Sequence, residues 1–111
     1  MDFQILIVTV KSDLTEKIVK AAKQAGAPGS TVMPAHGTGI YEAKTFFGLD
    51  LDIASDVIMF ILKEKLVDGV LQAINTAGNF DKPGTGVAFV IPAIKTLGLQ
   101  SQVMHYKKDG Q

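Results

Sequence analysis

The chain has 111 residues, of which 47% are hydrophobic and 20% are charged, and this composition fits one globular domain over residues 1–111. Its formal net charge is zero and it contains no arginine, so we expect no surface basic enough to bind a nucleic acid. Cysteine is also absent, which excludes disulfides, thiolate metal sites and a cysteine nucleophile.

The first half of the chain predicts a strand, a helix and a second strand. Residues 3–10 are apolar on both alternating faces, as in an interior strand. The run is too short to cross a membrane and has no charged leader, so we expect neither a signal peptide nor a membrane span here. The absence of cysteine favours a cytoplasmic protein. Asp13 and Glu16 have the spacing of a capping box, and the helix that follows stops at Gly26. Residues 30–35 predict a short strand, in which Pro34 indicates an edge or a bulge.

The second half repeats this order of elements. Residues 57–62 predict another strand with two apolar faces, and a helix with an apolar stripe follows and ends at Gly78. A glycine-rich turn leads into the last strand, residues 87–91, which Pro92 closes. The order β-α-β-β-α-β predicts an α/β (α+β) domain of the ferredoxin-like class, an antiparallel four-stranded sheet with two helices on one face.

The predicted sheet has apolar side chains on both faces, although two helices cover only one of them. Large exposed apolar surfaces are usually interfaces, so we expect the open face to bind a second copy of the chain. The sequence therefore predicts a homo-oligomer.

Two glycine turns follow or precede predicted strands, residues 35–39 and residues 81–86. Glycines at strand ends leave backbone N–H groups open to a ligand, and Lys82 adds a cation beside them, as in loops that hold phosphate. A G-x-G is also common in ordinary tight turns, and both interpretations stay open for either turn taken alone.

The chain resembles the PII-like signalling proteins over nearly its whole length. The resemblance is carried by Gly29-Ser30-Thr31-Val32 with Gly37-Thr38-Gly39, and by the turn of residues 81–86 running into Phe89-Val90. The interval 58–86 matches that family without a gap. The resemblance implies a non-enzymatic signalling protein of nitrogen regulation, a homotrimer that binds an adenine nucleotide (ATP, ADP or AMP, with or without Mg²⁺) in clefts between subunits. The regulated target would be an enzyme or a membrane transporter.

The resemblance also implies the ligand-binding residues. One wall of the cleft would consist of Thr31, Gly37, Thr38 and Gly39. The phosphate wall would consist of Lys82, Pro83, Gly84, Thr85 and Gly86, with Met59 and Ile61 near the base. The family has a basic residue after each turn, and this chain has Ile40 and Val87 at those two positions. Because no arginine can form a bidentate phosphate contact, the grip would come from backbone N–H groups, Lys82, and Lys63 or Lys95. A mono- or diphosphate nucleotide is then as plausible as ATP.

Residues 40–56 correspond to the family's target-binding loop, in a shortened form, and residues 98–111 form a C-terminal tail. The alternation Leu49-Asp50-Leu51-Asp52-Ile53 is typical of an extra strand or hairpin against the body of the domain. The same apolar residues also suit a surface that docks a partner protein. Both interpretations stay open.

The remaining polar residues predict no catalytic site and no certain metal site. His36 and His105 have no second ligand at metal spacing, and Ser12 and Ser30 have no implied catalytic partners. The alternative to nucleotide sensing is a trimeric scaffold or a divalent-metal protein of the same fold. Its candidate ligands are Asp50, Asp52 and Asp56, for which solvated carboxylates are the ordinary interpretation.

Overall fold

The chain forms a four-stranded sheet and two helices, with a separate pair of short strands. The structure is a computed structural model and describes residues 3–35, 45–46, 49–50 and 54–99. In chain order the elements are β1 (Phe3–Lys11), a 3₁₀ turn (Ser12–Leu14), α1 (Thr15–Gln24), β2 (Thr31–Ala35), β3 (Thr45–Phe46), β4 (Leu49–Asp50), β5 (Ser55–Lys63), α2 (Glu64–Gly78) and β6 (Gly86–Pro92).

The four long strands are arranged in the order β2-β5-β1-β6, and every neighbouring pair is antiparallel. This order confirms the predicted ferredoxin-like fold, because each β-α-β unit leaves room for a strand of the other unit between its own two strands. β2 is an edge strand, which agrees with Pro34 lying within it.

The core lies between the helices and one face of the sheet. Side chains of a strand alternate between faces, and the even-numbered residues of β1 and β5 point to the helices. The core cluster contains Leu6, Val8, Val10, Ile58, Phe60 and Leu62 from the sheet and Ile18, Ala22, Val67, Val70 and Ile74 from the helices. Neither helix in the described ranges is long and apolar enough to cross a membrane.

The helix ends agree only partly with the sequence prediction. The capping box of Asp13 and Glu16 is wrong: α1 begins after Leu14, and no side chain caps it. Asp13 lies inside the 3₁₀ turn, so its carboxylate is not at the capping position. The predicted stop at Gly26 is confirmed, since this residue has a φ of 111° directly after the end of the helix.

The open face of the sheet is apolar, as predicted. Two rows of side chains cross it: Ile5 lies between Ile61 and Ile91, and Ile7 lies between Met59 and Phe89. Ile61, Phe89 and Ile91 are each more than 40% exposed. The described residues of a single chain therefore leave a broad hydrophobic surface without cover on the side away from the helices.

The short strands β3 and β4 pair in antiparallel orientation, with Thr45 opposite Asp50 and Phe46 opposite Leu49. Their pairing agrees with the hairpin interpretation of residues 40–56. The rest of that segment, and most of the tail of residues 98–111, lie outside the described residues.

Candidate functional site

One end of the sheet brings together the chain segments that carry the candidate residues. There Ser55 at the start of β5 lies opposite both Ala35 and Lys11, which end β2 and β1. Val10 lies opposite Gly86, the first residue of β6. Both glycine turns therefore begin or end at the same end of the sheet.

The two turns nevertheless belong to opposite edges of the sheet. β2 and β6 are separated by β5 and β1, so three strand spacings, about 14 Å in all, lie between them. Gly37, Thr38 and Gly39 lie outside the described residues, but they directly follow the β2 edge in the chain. Within the described residues, Ala35 at the start of the first turn and Gly86 at the end of the second thus lie on separate edges of the sheet.

The turn between α2 and β6 has a defined backbone. Asn79 adopts the left-handed conformation, and the Lys82 N–H donates to the Asn79 carbonyl at 3.0 Å. Gly84 has a φ of 81°, which favours glycine. In the part of the chain that the structure describes, the N–H groups of Gly84 and Thr85 donate no hydrogen bond. These donors are available to an anion.

The aromatic ring of Phe80 packs between two glycines and fixes the root of this turn. A Cβ on Gly78 would overlap the Phe80 ring, and one on Gly86 would meet it at 3.2 Å. The Phe80 N–H donates to the Asn75 side-chain oxygen at 3.1 Å. The glycines here permit close packing, a role that the G-x-G pattern does not reveal.

A cleft of about 340 Å³ lies between this turn and the start of α1. The turn contributes Lys82, Pro83, Gly84 and Thr85. The opposite side contributes Lys11, Asp13, Leu14 and Lys17. The sequence prediction missed Lys11 and Lys17, because only the fold brings the end of β1 and the start of α1 next to the turn.

A second cleft, of about 530 Å³, lies on the other side of the turn, between α2 and β6. Its lining includes Leu71, Phe80, Val87 and Ala88, and the one charged residue among the described residues that line it is Asp81. Because that charge is negative and no cation accompanies it in this lining, the second cleft of a single chain is less suited to a phosphate group than the first. Gly86, which the resemblance places in the phosphate wall, lines this second cleft and not the first.

The other predicted residues lie at different levels of the sheet. Thr31 lies opposite Met59 at the β2 edge, on the open face, and Ile61 lies one row further from the glycine turns. Lys63 lies opposite Phe3 at the far end of the sheet. Lys95 follows β6 near the same end, where the Ala93 N–H donates a hydrogen bond to the Phe3 carbonyl. Within one chain, neither lysine can therefore join Lys82.

The candidate acidic cluster has one described side chain. Asp56 accepts a hydrogen bond from the Thr15 hydroxyl, which gives this carboxylate a structural partner. The side chains of Asp50 and Asp52 lie outside the described residues, as does His36. Over the described ranges, no group of three histidine or acidic residues has the arrangement of a metal site.

A family model agrees with this fold. The model described as "Nitrogen regulatory protein P-II" matches residues 3–102. None of the curated proteins matches the chain.

Solved structures share the fold at low sequence identity. CPII from Thiomonas intermedia, determined with ADP, AMP and acetate, is 21% identical with a TM-score of 0.67, over 88% of this chain and 92% of that one. A putative PII-like signaling protein from Thermus thermophilus is 22% identical with a TM-score of 0.63, over 90% and 98% of the two chains. PII of Arabidopsis thaliana, bound to citrate, is 21% identical with a TM-score of 0.64, over 83% and 78%.

Proposed function

We propose a function from one premise: the chain belongs to the family of nitrogen regulatory protein P-II. It is a regulatory protein, not an enzyme, that binds an adenine nucleotide where two subunits meet and signals the occupied state to a target protein. Its ligand-binding residues are Thr31, Gly37, Thr38, Gly39, Met59, Ile61, Lys82, Pro83, Gly84, Thr85 and Gly86.

The observation that carries this proposal is the separation of the two walls. The turn before β6 and the end of β2 share one end of the sheet but lie on opposite edges, about 14 Å apart. We propose that the ligand contacts both walls by binding between two chains, where the β6 edge of one subunit meets the β2 edge of the next. The predicted cleft is therefore a cleft between subunits.

The open face of the sheet supports the assembly that such a cleft needs. Ile5, Ile7, Met59 and Phe89 form part of an apolar surface that the rest of the described chain leaves uncovered. Surfaces of this kind are rare on monomers and are buried when identical subunits associate. A homotrimer is the assembly we propose.

The ligand class is supported by the backbone donors of the turn and by one neighbour of the same fold. Within the described residues, the N–H groups of Gly84 and Thr85 donate no hydrogen bond, and both residues line the same cleft as Lys82. The CPII structure contains ADP and AMP. Because the chain has no arginine to hold a triphosphate by bidentate contacts, we propose ADP or AMP ahead of ATP.

The signalling surface is the segment of residues 40–56, which contains the β3–β4 pair. This segment directly follows the Gly37-Thr38-Gly39 turn in the chain, so a ligand at that turn lies at its root. An enzyme or a membrane transporter is the proposed target.

Calorimetry on the purified oligomer tests the proposal with ATP, ADP, AMP and adenosine, each with and without Mg²⁺. We expect ADP or AMP to bind, and Lys82→Gln to weaken phosphate-bearing ligands while Lys20→Gln, on the exposed side of α1, leaves them unchanged. A folded oligomer that binds none of the three nucleotides contradicts the proposal.

A further inference from the structure

The cleft between the start of α1 and the turn before β6 concentrates positive charge. Lys11, Lys17 and Lys82 all line it, and Asp13 is the one acidic residue among the described residues of the lining. The chain as a whole has no net charge. The fold therefore collects cations from three separate parts of the sequence into one place.

In the described part of the chain, these lysines have no acidic partners that would neutralise their charge. None of the three ammonium groups forms an ion pair there, and the Asp13 carboxylate has no partner either. A concave surface lined mainly by charges of one sign raises the local concentration of ions of the opposite sign.

Backbone donors in the same cleft add to this charge. Gly84 and Thr85 belong to its lining, and their N–H groups donate no hydrogen bond within the described ranges. Ammonium groups and free backbone N–H groups are the donors that hold a phosphate when arginine is absent. The cleft volume of about 340 Å³ is within the range of small-ligand sites, from about 300 Å³ upward.

We propose that this cleft is the phosphate subsite of the chain, and that Lys11 and Lys17 bind the phosphate groups together with Lys82 of the same subunit. The inference rests on the proposed function for the identity of the nucleotide. It adds two binding residues and assigns the charge recognition to one subunit, while the β2 edge of the neighbour contacts the rest of the ligand.

Asp13 gives the proposal an effect of opposite sign. Its carboxylate lies in the cleft and repels a phosphate, so its removal strengthens binding. A general loss of structure would weaken ligand binding in every variant. It would not weaken binding when a lysine is removed and strengthen it when Asp13, on the same side of the cleft, is removed.

The test measures the affinity of the folded oligomer for ADP and for adenosine by calorimetry. We expect Lys11→Gln and Lys17→Gln each to weaken ADP by about two- to fivefold, the range for partly exposed charge pairs, and Asp13→Asn to strengthen it by a similar factor. Adenosine, which has no phosphate, keeps its affinity in every variant. Lys20→Gln, on the same helix as Lys17 but outside the cleft, is the matched control.

Two results separate this inference from the proposed function. If ADP binds and Lys82→Gln weakens it, while Lys11→Gln and Lys17→Gln behave like Lys20→Gln, the inference is overturned and the nucleotide proposal stands. If no adenine nucleotide binds, inorganic pyrophosphate is titrated into ¹⁵N-labelled protein. Amide shifts at Gly84 and Thr85 that disappear in Lys11→Gln and Lys17→Gln then support the anion cleft without the nucleotide, and the absence of such shifts overturns it.

Discussion

The hydroxyl of Thr15 donates a hydrogen bond to the carboxylate of Asp56 at 2.5 Å, which joins two residues 41 positions apart. Beside it, the Ser12 N–H donates to the Ala54 carbonyl at 3.0 Å. The two contacts attach the start of α1 to the point where the chain enters β5. The end of the proposed signalling segment is therefore fixed to the helical layer.

Replacing Thr15 with valine tests this attachment. The change keeps the shape of the side chain but leaves the Asp56 carboxylate, which is only partly exposed, without its donor. We expect a loss of about 1–2 kcal/mol in the free energy of unfolding, measured by chemical denaturation. Thr76→Val, at an exposed site on α2, is the control. Equal stability of the two variants would show that the hydrogen bond contributes nothing.

Gly78 and Gly69 lie in the same helix, and we expect alanine at these two positions to change the free energy of unfolding in opposite directions. A Cβ on Gly78 would lie 2.9 Å from the Ile18 side chain and would also overlap the Phe80 ring, so we expect Gly78→Ala to cost about 1–3 kcal/mol. A Cβ on Gly69 meets nothing within 4 Å, so Gly69→Ala should stabilise the protein by about 0.5–1 kcal/mol. Thermal or denaturant unfolding of both variants measures the difference, and two changes of the same sign would contradict the packing described here.

The left-handed conformation of Asn79 predicts a preference for glycine at that position. Its φ of 54° disfavours a residue with an ordinary Cβ, whereas glycine adopts this conformation at little cost. We expect Asn79→Ala to lower the free energy of unfolding by about 1 kcal/mol and Asn79→Gly to leave it nearly unchanged. Denaturant unfolding of the two variants measures the difference, and the prediction fails if alanine is tolerated as well as glycine.

Phe89 tests the role of the open sheet face. It lies opposite Ile7 and is 43% exposed in one chain, so an aspartate there would place a charge in the proposed subunit interface. We expect Phe89→Asp to convert the oligomer to smaller species in light scattering coupled to size exclusion, at a concentration at which the wild type stays assembled. Thr76→Asp, on the exposed surface of α2, should not. An unchanged mass for Phe89→Asp would place the interface elsewhere.

The fold was predictable because its signals are local. The apolar runs of β1, β5 and β6, the glycine after α1 and the proline in β2 each indicate an element or its end without reference to the rest of the chain. Antiparallel order and helix placement then follow from the connection rules.

The candidate site was less predictable because it depends on distant residues. Lys82 was recognisable from the glycines beside it, but Lys11 and Lys17 become candidates only when the strand register brings the end of β1 to the turn before β6. Lys63 and Lys95 were predicted as further cations for the phosphate groups, and within one chain the length of β1 separates them from the turn. The capping box at Asp13 failed for a local reason, since the 3₁₀ turn shifts the start of α1 beyond that residue.

The position of β2 and β6 on opposite edges of one sheet also has a consequence for assembly. In the proposed assembly each chain offers one half of two different contacts, so identical copies would join head to tail, and a closed ring would leave neither half unmatched. In such a ring, sites and subunits are equal in number, and every bound ligand adds to the free energy that holds the ring together by mass action. Dilution would then release ligand and subunits together, and the ligand concentration would set the concentration at which the ring comes apart.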